Sequence, residues 1–297
     1  MQKKPTQKLT LALPILLVLL PWQAAFAADD AAVSRGAYLF NAADCVSCHT
    51  DAKNGGAPLA GGRALDTPFG IFYSPNITPN PAQGIGGWSL ADFRRALREG
   101  KGRDDEFLFP VFPYDSFTGM TDADIADLYA YVMTQPPSAV PDKPQAVKFP
   151  FGFRPLLVVW RSLFFREGPL APVAGKDAEW NRGRYLAEAV VHCQECHTPR
   201  NFLGGLDRAR AYAGDPQGPD KQKAPNITPD HDTGIGQWTI EDIETVLKSG
   251  QTPDFDSVGG GMGDVVKGTA MLTDDDRHAI AIYLKSLPPL HATDRKK

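Results

Sequence analysis

Three blocks of this chain occur twice, in the same order and about 150 residues apart, and that repetition constrains the fold more than any single element does. Residues 75–100 read PNITPNPAQGIGGWSLADFRRALREG and residues 225–250 read PNITPDHDTGIGQWTIEDIETVLKSG, identical at 12 of 26 positions without a gap. Upstream, Arg35-Gly36-x-Tyr38-Leu39 recurs as Arg182-Gly183-x-Tyr185-Leu186. Downstream, Thr121-Asp122-x-Asp124 recurs as Thr273-Asp274-x-Asp276. The offsets are 147, 150 and 152, so the chain reads as a duplicated domain, and 297 residues are ample for two units of roughly 100–200 residues each.

Each copy begins near a helix carrying R-G-x-Y-L and ends before a Pro-Pro pair, Pro136-Pro137 or Pro288-Pro289, that no helix can cross. Thr121 and Thr273 are predicted N-caps of the closing helices, with acids in the positively polarised first turn. Ile125, Leu128, Tyr129 and Val132 fall at i, i+3, i+4 and i+7, one buried helical face. Trp88 and Trp238 open the middle helices, and Leu90, Phe93 and Leu97 continue one face of the first. Little alternates with period two. The expected architecture is all-α: two tandem domains, 28–137 and 179–290, with long Gly/Pro loops (28 Gly, 26 Pro) and a 138–178 connector. Pro150, Pro155, Pro169 and Pro172 forbid one long helix in the connector, whose Leu156 to Phe165 stretch is expected to pack on a domain or a partner.

The first 27 residues carry Lys3, Lys4 and Lys8, an apolar run from Leu9 to Leu20, and Ala25-Phe26-Ala27. This is the pattern of a secretory signal peptide cleaved after Ala27, since a run of that length falls short of the ~20 residues a membrane span needs. No later apolar run approaches a span. The formal charge of −4 becomes −7 once those three lysines are gone, which argues against nucleic acid as a partner. Residues 291–297 form a polar tail. Asn76 and Asn226 match N-x-T, but both sit inside the repeated block and are discounted as glycosylation sites.

Only four cysteines occur, and all four fall in one pattern: Cys45-Val46-Ser47-Cys48-His49 and Cys193-Gln194-Glu195-Cys196-His197. C-x-x-C-H is the attachment signature of c-type haem. Two thiols at i and i+3 add across the two vinyl groups of one porphyrin, and the adjoining histidine becomes the proximal iron ligand. A redox dithiol, a structural disulfide or half a zinc site would each explain a lone C-x-x-C. Neither copy lies in a β-α-β pattern, and each carries its own histidine, which favours two covalently bound haems.

Methionine opposite histidine makes an electron-transfer iron of raised potential. Met120, Met133, Met262 and Met271 are available. Met262 follows Gly259-Gly260-Gly261, a loop able to swing onto the distal face, and is taken as the second iron's ligand. Met271 abuts a helix cap and reads as core, while Met133 reads as packing. Met120 is the remaining candidate for the first iron, because the loop Phe109 to Tyr114 holds no methionine. Arg63 and Arg200 are placed to pair with haem propionates, and Trp88, Trp238, Tyr131 and Tyr283 to shield a porphyrin edge or fill core. His192, His231, His278 and His291 are not taken as ligands.

These blocks, with N-I-T-P-x-x-x-x-G-I-G-x-W and M-x-x-V-V, resemble class I cytochromes c and, more closely, the cytochrome c subunits of periplasmic alcohol, aldehyde and gluconate dehydrogenases. The resemblance implies haem on Cys45, Cys48 and His49 and on Cys193, Cys196 and His197, and it supports Met262 through Met262-Gly263-Asp264-Val265-Val266. It departs in two places. Such subunits usually have three haem domains and a C-terminal membrane anchor, so this chain resembles a soluble dihaem relative. The loop that often reads A-M-P-Y is Val111-Phe112-Pro113-Tyr114 here. The resemblance therefore implies a periplasmic electron carrier between a dehydrogenase and an oxidase or another cytochrome. A dihaem enzyme with an open first iron, a peroxidase or a sulfur-compound dehydrogenase, is the alternative, and a haem-free metal or thiol module is a third.

Overall fold

The structure, a computed structural model, describes residues 2, 29–218 and 221–292. Apart from residue 2, the signal segment 1–27 with its cleavage at Ala27 lies outside the described residues, as do the last five residues of the polar tail. The first half runs α1 (Asp30–Ala42), α2 (Cys45–His49), β1 (Ala64–Thr67), β2 (Gly70–Tyr73), α3 (Leu90–Glu99), α4 (Tyr114–Phe117) and α5 (Asp122–Val132). Then come β3 (Ala146–Val147) and α6 (Leu156–Phe164). The second half runs α7 (Ala178–Tyr185), α8 (Gln194–His197), α9 (Ile240–Ser249), α10 (Gly260–Thr269) and α11 (Asp274–Lys285). No described helix is long and apolar enough to cross a membrane.

The helix starts are written in the sequence. Thr121 and Thr273 accept from the amides of Asp124 and Asp276 at 3.0 and 3.1 Å. Ser89/Asp92 and Thr239/Asp242 form full capping boxes, and each such cap stabilises its helix by about 1 kcal/mol. Ile125, Leu128 and Val132 are buried as the periodicity requires, as are Phe93 and Leu97. Leu90, at the very start of α3, instead faces outward.

In each half the first and last helices cross at a glycine. A Cβ on Gly36 would lie 1.9 Å from the Asp127 carbonyl oxygen, and one on Gly183 would lie 1.8 Å from that of Ala279. No side chain fits there, which explains the Gly of R-G-x-Y-L. The arginine beside each glycine locks the crossing: Arg35 grips Asp127 at 2.6 and 2.9 Å, and Arg182 grips Asp276 at 2.8 and 2.7 Å.

The tyrosines of the same motif reach across to the opposite half. Tyr38 donates to Asp276 at 2.5 Å and accepts from the Thr273 amide at 3.1 Å. Tyr185 donates to Asp124 and accepts from the Thr121 amide at 3.2 Å. The halves are thus joined by one contact made twice, and one continuous apolar core runs through both, from Leu39, Ile125 and Leu128 to Leu186, Ile280 and Leu284.

The purely helical expectation needs one correction: β1, β2 and β3 form a small antiparallel sheet, Ala64 to Thr67 pairing with Tyr73 to Gly70, and Gly70 and Ile71 with Val147 and Ala146. Its strands of four, four and two residues are too short to show alternation. The connector supplies the third strand, and its α6 leans on the second half, where the Trp160 indole donates to the Leu203 carbonyl at 3.0 Å.

Candidate functional site

Each C-x-x-C-H segment begins with a residue in the left-handed conformation, Asp44 (φ 49°) and His192 (φ 49°), which turns the chain out of the preceding helix. Such a backbone is uncommon for non-glycine residues and is tolerated best by Asp, Asn and His. The two halves reach this turn differently. In the first, α1 runs regularly to Ala42; in the second, α7 passes into a π-helical turn over Leu186–Val190, closed by the Val191 amide on the Leu186 carbonyl at 2.7 Å. The R-G-x-Y-L blocks are offset by 147 residues and the cysteines by 148. The extra residue is absorbed inside the helix, as π-bulges absorb insertions.

The two histidines then meet identical partners. His49 Nδ1 lies 2.8 Å from the Pro75 carbonyl oxygen, and His197 Nδ1 lies 2.8 Å from that of Pro225. A carbonyl only accepts, so Nδ1 carries the proton and Nε2 keeps its lone pair. Burial pushes both imidazoles below their ordinary pKa, against the opposing pull of that carbonyl, which holds them neutral. A carbonyl on Nδ1 fixes the ring's orientation and leaves Nε2 as the available acceptor. The histidine backbone is also anchored twice, its carbonyl accepting at 2.8 Å from Gly61 in the first half and from Gly214 in the second.

The proline acceptors explain the repeated P-N-I-T-P block. Asn76 and Asn226 are buried, and each accepts from the amide two residues on, Thr78 or Thr228, at 2.9 Å. The Asn76 side chain donates to Ser138 and Val140, and that of Asn226 to Leu290, all in the segments after the Pro-Pro stops. Gly84 and Gly234 close the following turn, where a Cβ would meet the Thr78 or Thr228 carbonyl oxygen at 2.2 Å. Sequence reasoning passed over Pro75, Asn76, Pro225 and Asn226 as functional. The signal was an intact block containing no chemistry-bearing side chain of its own.

No disulfide joins the four cysteines. Burial pushes Cys45 well above its ordinary value and Cys193 and Cys196 to about 12, so all three are protonated sulfurs rather than thiolates. His192 Nε2 lies 3.3 Å from the Ala43 carbonyl oxygen and its ring meets Phe117 edge-on at 5.3 Å. Arg63 donates to the Ser47 carbonyl inside the first motif. Arg200 bonds Glu195 of the second at 2.5 Å, and Ser116 of the first half donates to that same carboxylate at 2.7 Å. Asp115 adjoins this group with a buried Oδ1 that has no partner among the described residues, and burial beside Glu195 pushes its carboxyl up to about 7.

On the distal side the halves diverge. Lys101 bridges Phe107, and Gln251 bridges Ser257. Five residues beyond stand Phe112 and Met262. Met262 is partly buried on α10, so the Gly-rich run expected as a loop is the start of a helix. Met120 is fully buried and its carbonyl accepts from Arg98 at 2.6 Å. In the second half the residue before the cap is Leu272, also buried, with its carbonyl on Arg277. Met271, expected in the core, is 60% exposed because Leu272 takes the inward position. Met133 packs against the core, Tyr131 stacks on Phe40 at 5.0 Å, and Tyr283 is buried against Trp180 at 5.3 Å.

The residues present fit a covalently held haem in each half: two sulfurs at i and i+3, one turn of helix, and an oriented imidazole whose Nδ1 is held by a carbonyl. Comparison with known proteins gives the same direction. The Cytochrome c family profile matches residues 33–136. A "Diheme cytochrome c-type" protein of Cereibacter sphaeroides is 44% identical over 273 residues, 89% of either chain. The cytochrome c subunit of a quinone alcohol dehydrogenase from Gluconacetobacter polyoxogenes is 44% identical over 272 residues, covering 89% of this chain and 57% of the subunit. The fructose dehydrogenase cytochrome subunit of Gluconobacter japonicus is 41% identical over 258 residues, 86% of this chain and 52% of the subunit. The chain therefore spans little more than half of these dehydrogenase subunits.

Proposed function

Because the chain belongs to the cytochrome c family, we propose that it is a dihaem electron carrier with one haem in each of two tandem domains, 28–137 and 179–290, joined by the 138–178 connector. Cys45 and Cys48 would hold the first group, with His49 as proximal ligand, and Cys193, Cys196 and His197 the second. Met120 and Met262 would each supply the remaining ligand to one iron. A haem held this way supplies a one-electron iron couple. The chain's own part is to fix each imidazole through Pro75 or Pro225, to set two sulfurs beside it, and to exclude water with the core shared by both halves.

The reading extends to setting and partners. The protein is exported to the periplasm after cleavage at Ala27, takes electrons from a dehydrogenase and passes them to an oxidase or another cytochrome. The names of the relatives support the dehydrogenase donor. The acidic mature chain favours a basic docking patch on at least one partner, with faster association at low salt.

The observation that carries the reading is the pair of equal histidine-to-proline contacts, which ready two Nε2 atoms in the same way. Mature protein made with its maturation machinery is expected to weigh two haems more than its polypeptide, and an unchanged mass refutes the proposal. The open-iron alternative draws on Phe112, which occupies the repeat position of Met262. Counting methionine-to-iron absorption in the far red separates the two, since two equivalents per chain fit a carrier and one fits an enzyme. Burial that raises Cys45, Cys193 and Cys196 speaks against the thiolate chemistry of a haem-free metal or thiol module.

A further inference from the structure

The connector contains a segment unlike the rest of the chain. Residues 143–166 hold five cations (Lys143, Lys148, Arg154, Arg161, Arg166), five phenylalanines and one tryptophan, and no aspartate or glutamate, within a chain whose net charge is −4. Much of its apolar content lies on the outside. Phe149 is 93% exposed, and Phe153, Val159 and Leu163 are each more than half exposed. On α6 only Leu157 is buried, so the helix turns most of its apolar surface away from the protein. Phe202, 84% exposed, continues the surface on the loop next to Leu203, whose carbonyl is held by Trp160.

Of these cations, Lys148 and Arg166 stand exposed beside this surface. Lys143 meets Asp51 at 3.3 Å, but among the described residues no carboxylate pairs with Lys148, Arg154, Arg161 or Arg166. Arg154 lies over the Phe109 ring at 4.6 Å and donates to the Phe107 carbonyl, while Arg161 is turned inward, its guanidinium over the Phe165 ring at 4.5 Å.

We propose that this face docks on an anionic phospholipid surface, with α6 lying in the headgroup plane and the rings of Phe149, Phe153 and Phe202 entering the acyl boundary. This goes beyond the electron-carrier reading and does not depend on it. Three features favour a bilayer over a protein partner. The exposed Lys148 and Arg166 suit a sheet of anionic headgroups. Phenylalanines that protrude singly rather than lining a groove suit insertion. A nine-residue helix is too short to cross but long enough to lie flat. The patch adjoins the loop that follows the second C-x-x-C-H, so docking would present that half to the membrane.

The test is sedimentation of the mature holoprotein with vesicles of phosphatidylcholine alone or mixed with phosphatidylglycerol, followed by the polypeptide itself so that haem content does not enter the readout. Binding is expected to the mixed vesicles, to weaken as salt rises, and to be slight with phosphatidylcholine alone. Phe149→Ser with Val159→Ser and Leu163→Ser, all at exposed positions, should lower binding at least tenfold with the visible spectrum unchanged. Reversing Lys148 and Arg166 to Glu should cost at least about fivefold per site. Failure of the wild type to bind mixed vesicles, or equal binding by the variants, overturns the proposal. So does a triple variant that loses electron transfer with a dehydrogenase when the wild type ignores lipid, which would assign the face to a protein.

Discussion

The two halves of this chain agree where they hold the histidine and differ where they face it. His49 and His197 meet a proline carbonyl at the same 2.8 Å, and Gly36 and Gly183 admit equally close helices. The straps opposite have drifted: α4 and a buried Met120 in one half, a glycine-led α10 and a half-buried Met262 in the other. The lesson is about tolerance. Positions fixed by the carbonyl partner of a histidine or by a backbone crossing admit one solution, whereas the strap opposite has many, and on the proposed reading it is there that the two halves can come to differ.

The comparison can be broken at several points. Replacing Cys193 and Cys196 by Ala should remove one haem from the mass while Cys45 and Cys48 retain theirs; loss of both would make the halves interdependent in maturation. Met262→Leu and Met120→Leu should each abolish one of two far-red equivalents. If Met120→Leu leaves both, Met120 is core like Leu272. Gly36→Ala and Gly183→Ala should each cost about 2–3 kcal/mol in thermal unfolding, because either forces packed helices apart. Asp115 tests the junction between the first strap and the second motif. Its carboxyl is raised to about 7, so the folded chain holds a proton that the unfolded chain releases near the ordinary carboxylate value. Stability should therefore fall as pH rises from about 4 to 7, by at most about 1.4 kcal/mol per unit, and Asp115→Asn should flatten that slope. Least of all, Tyr38→Phe and Tyr185→Phe should each cost about 1 kcal/mol, and equally.

Much of this was legible in the sequence because the informative signals were local. Thr121 and Thr273 cap the helices they were expected to cap, and the C-x-x-C-H segments form the single helical turns that their spacing requires. What escaped was non-local. The acceptor for His49 lies 26 residues away and that for His197 lies 28 away, and nothing in Pro75 or Pro225 as a residue type marks it as one. The sheet escaped because one strand comes from the connector and is two residues long. Met271 and Leu272 are neighbours of similar hydrophobicity, so only the helix phase decides which points inward. The π turn was visible in outline, as the step from an offset of 147 to one of 148.

The tyrosines that cross between the halves carry a thermodynamic corollary. Each half's closing helix starts on a cap completed by the other half's opening helix, so melting either one strips the other of a hydrogen bond and of core cover together. Calorimetry should record a single cooperative peak for the chain, its van't Hoff and calorimetric enthalpies in agreement, rather than two transitions.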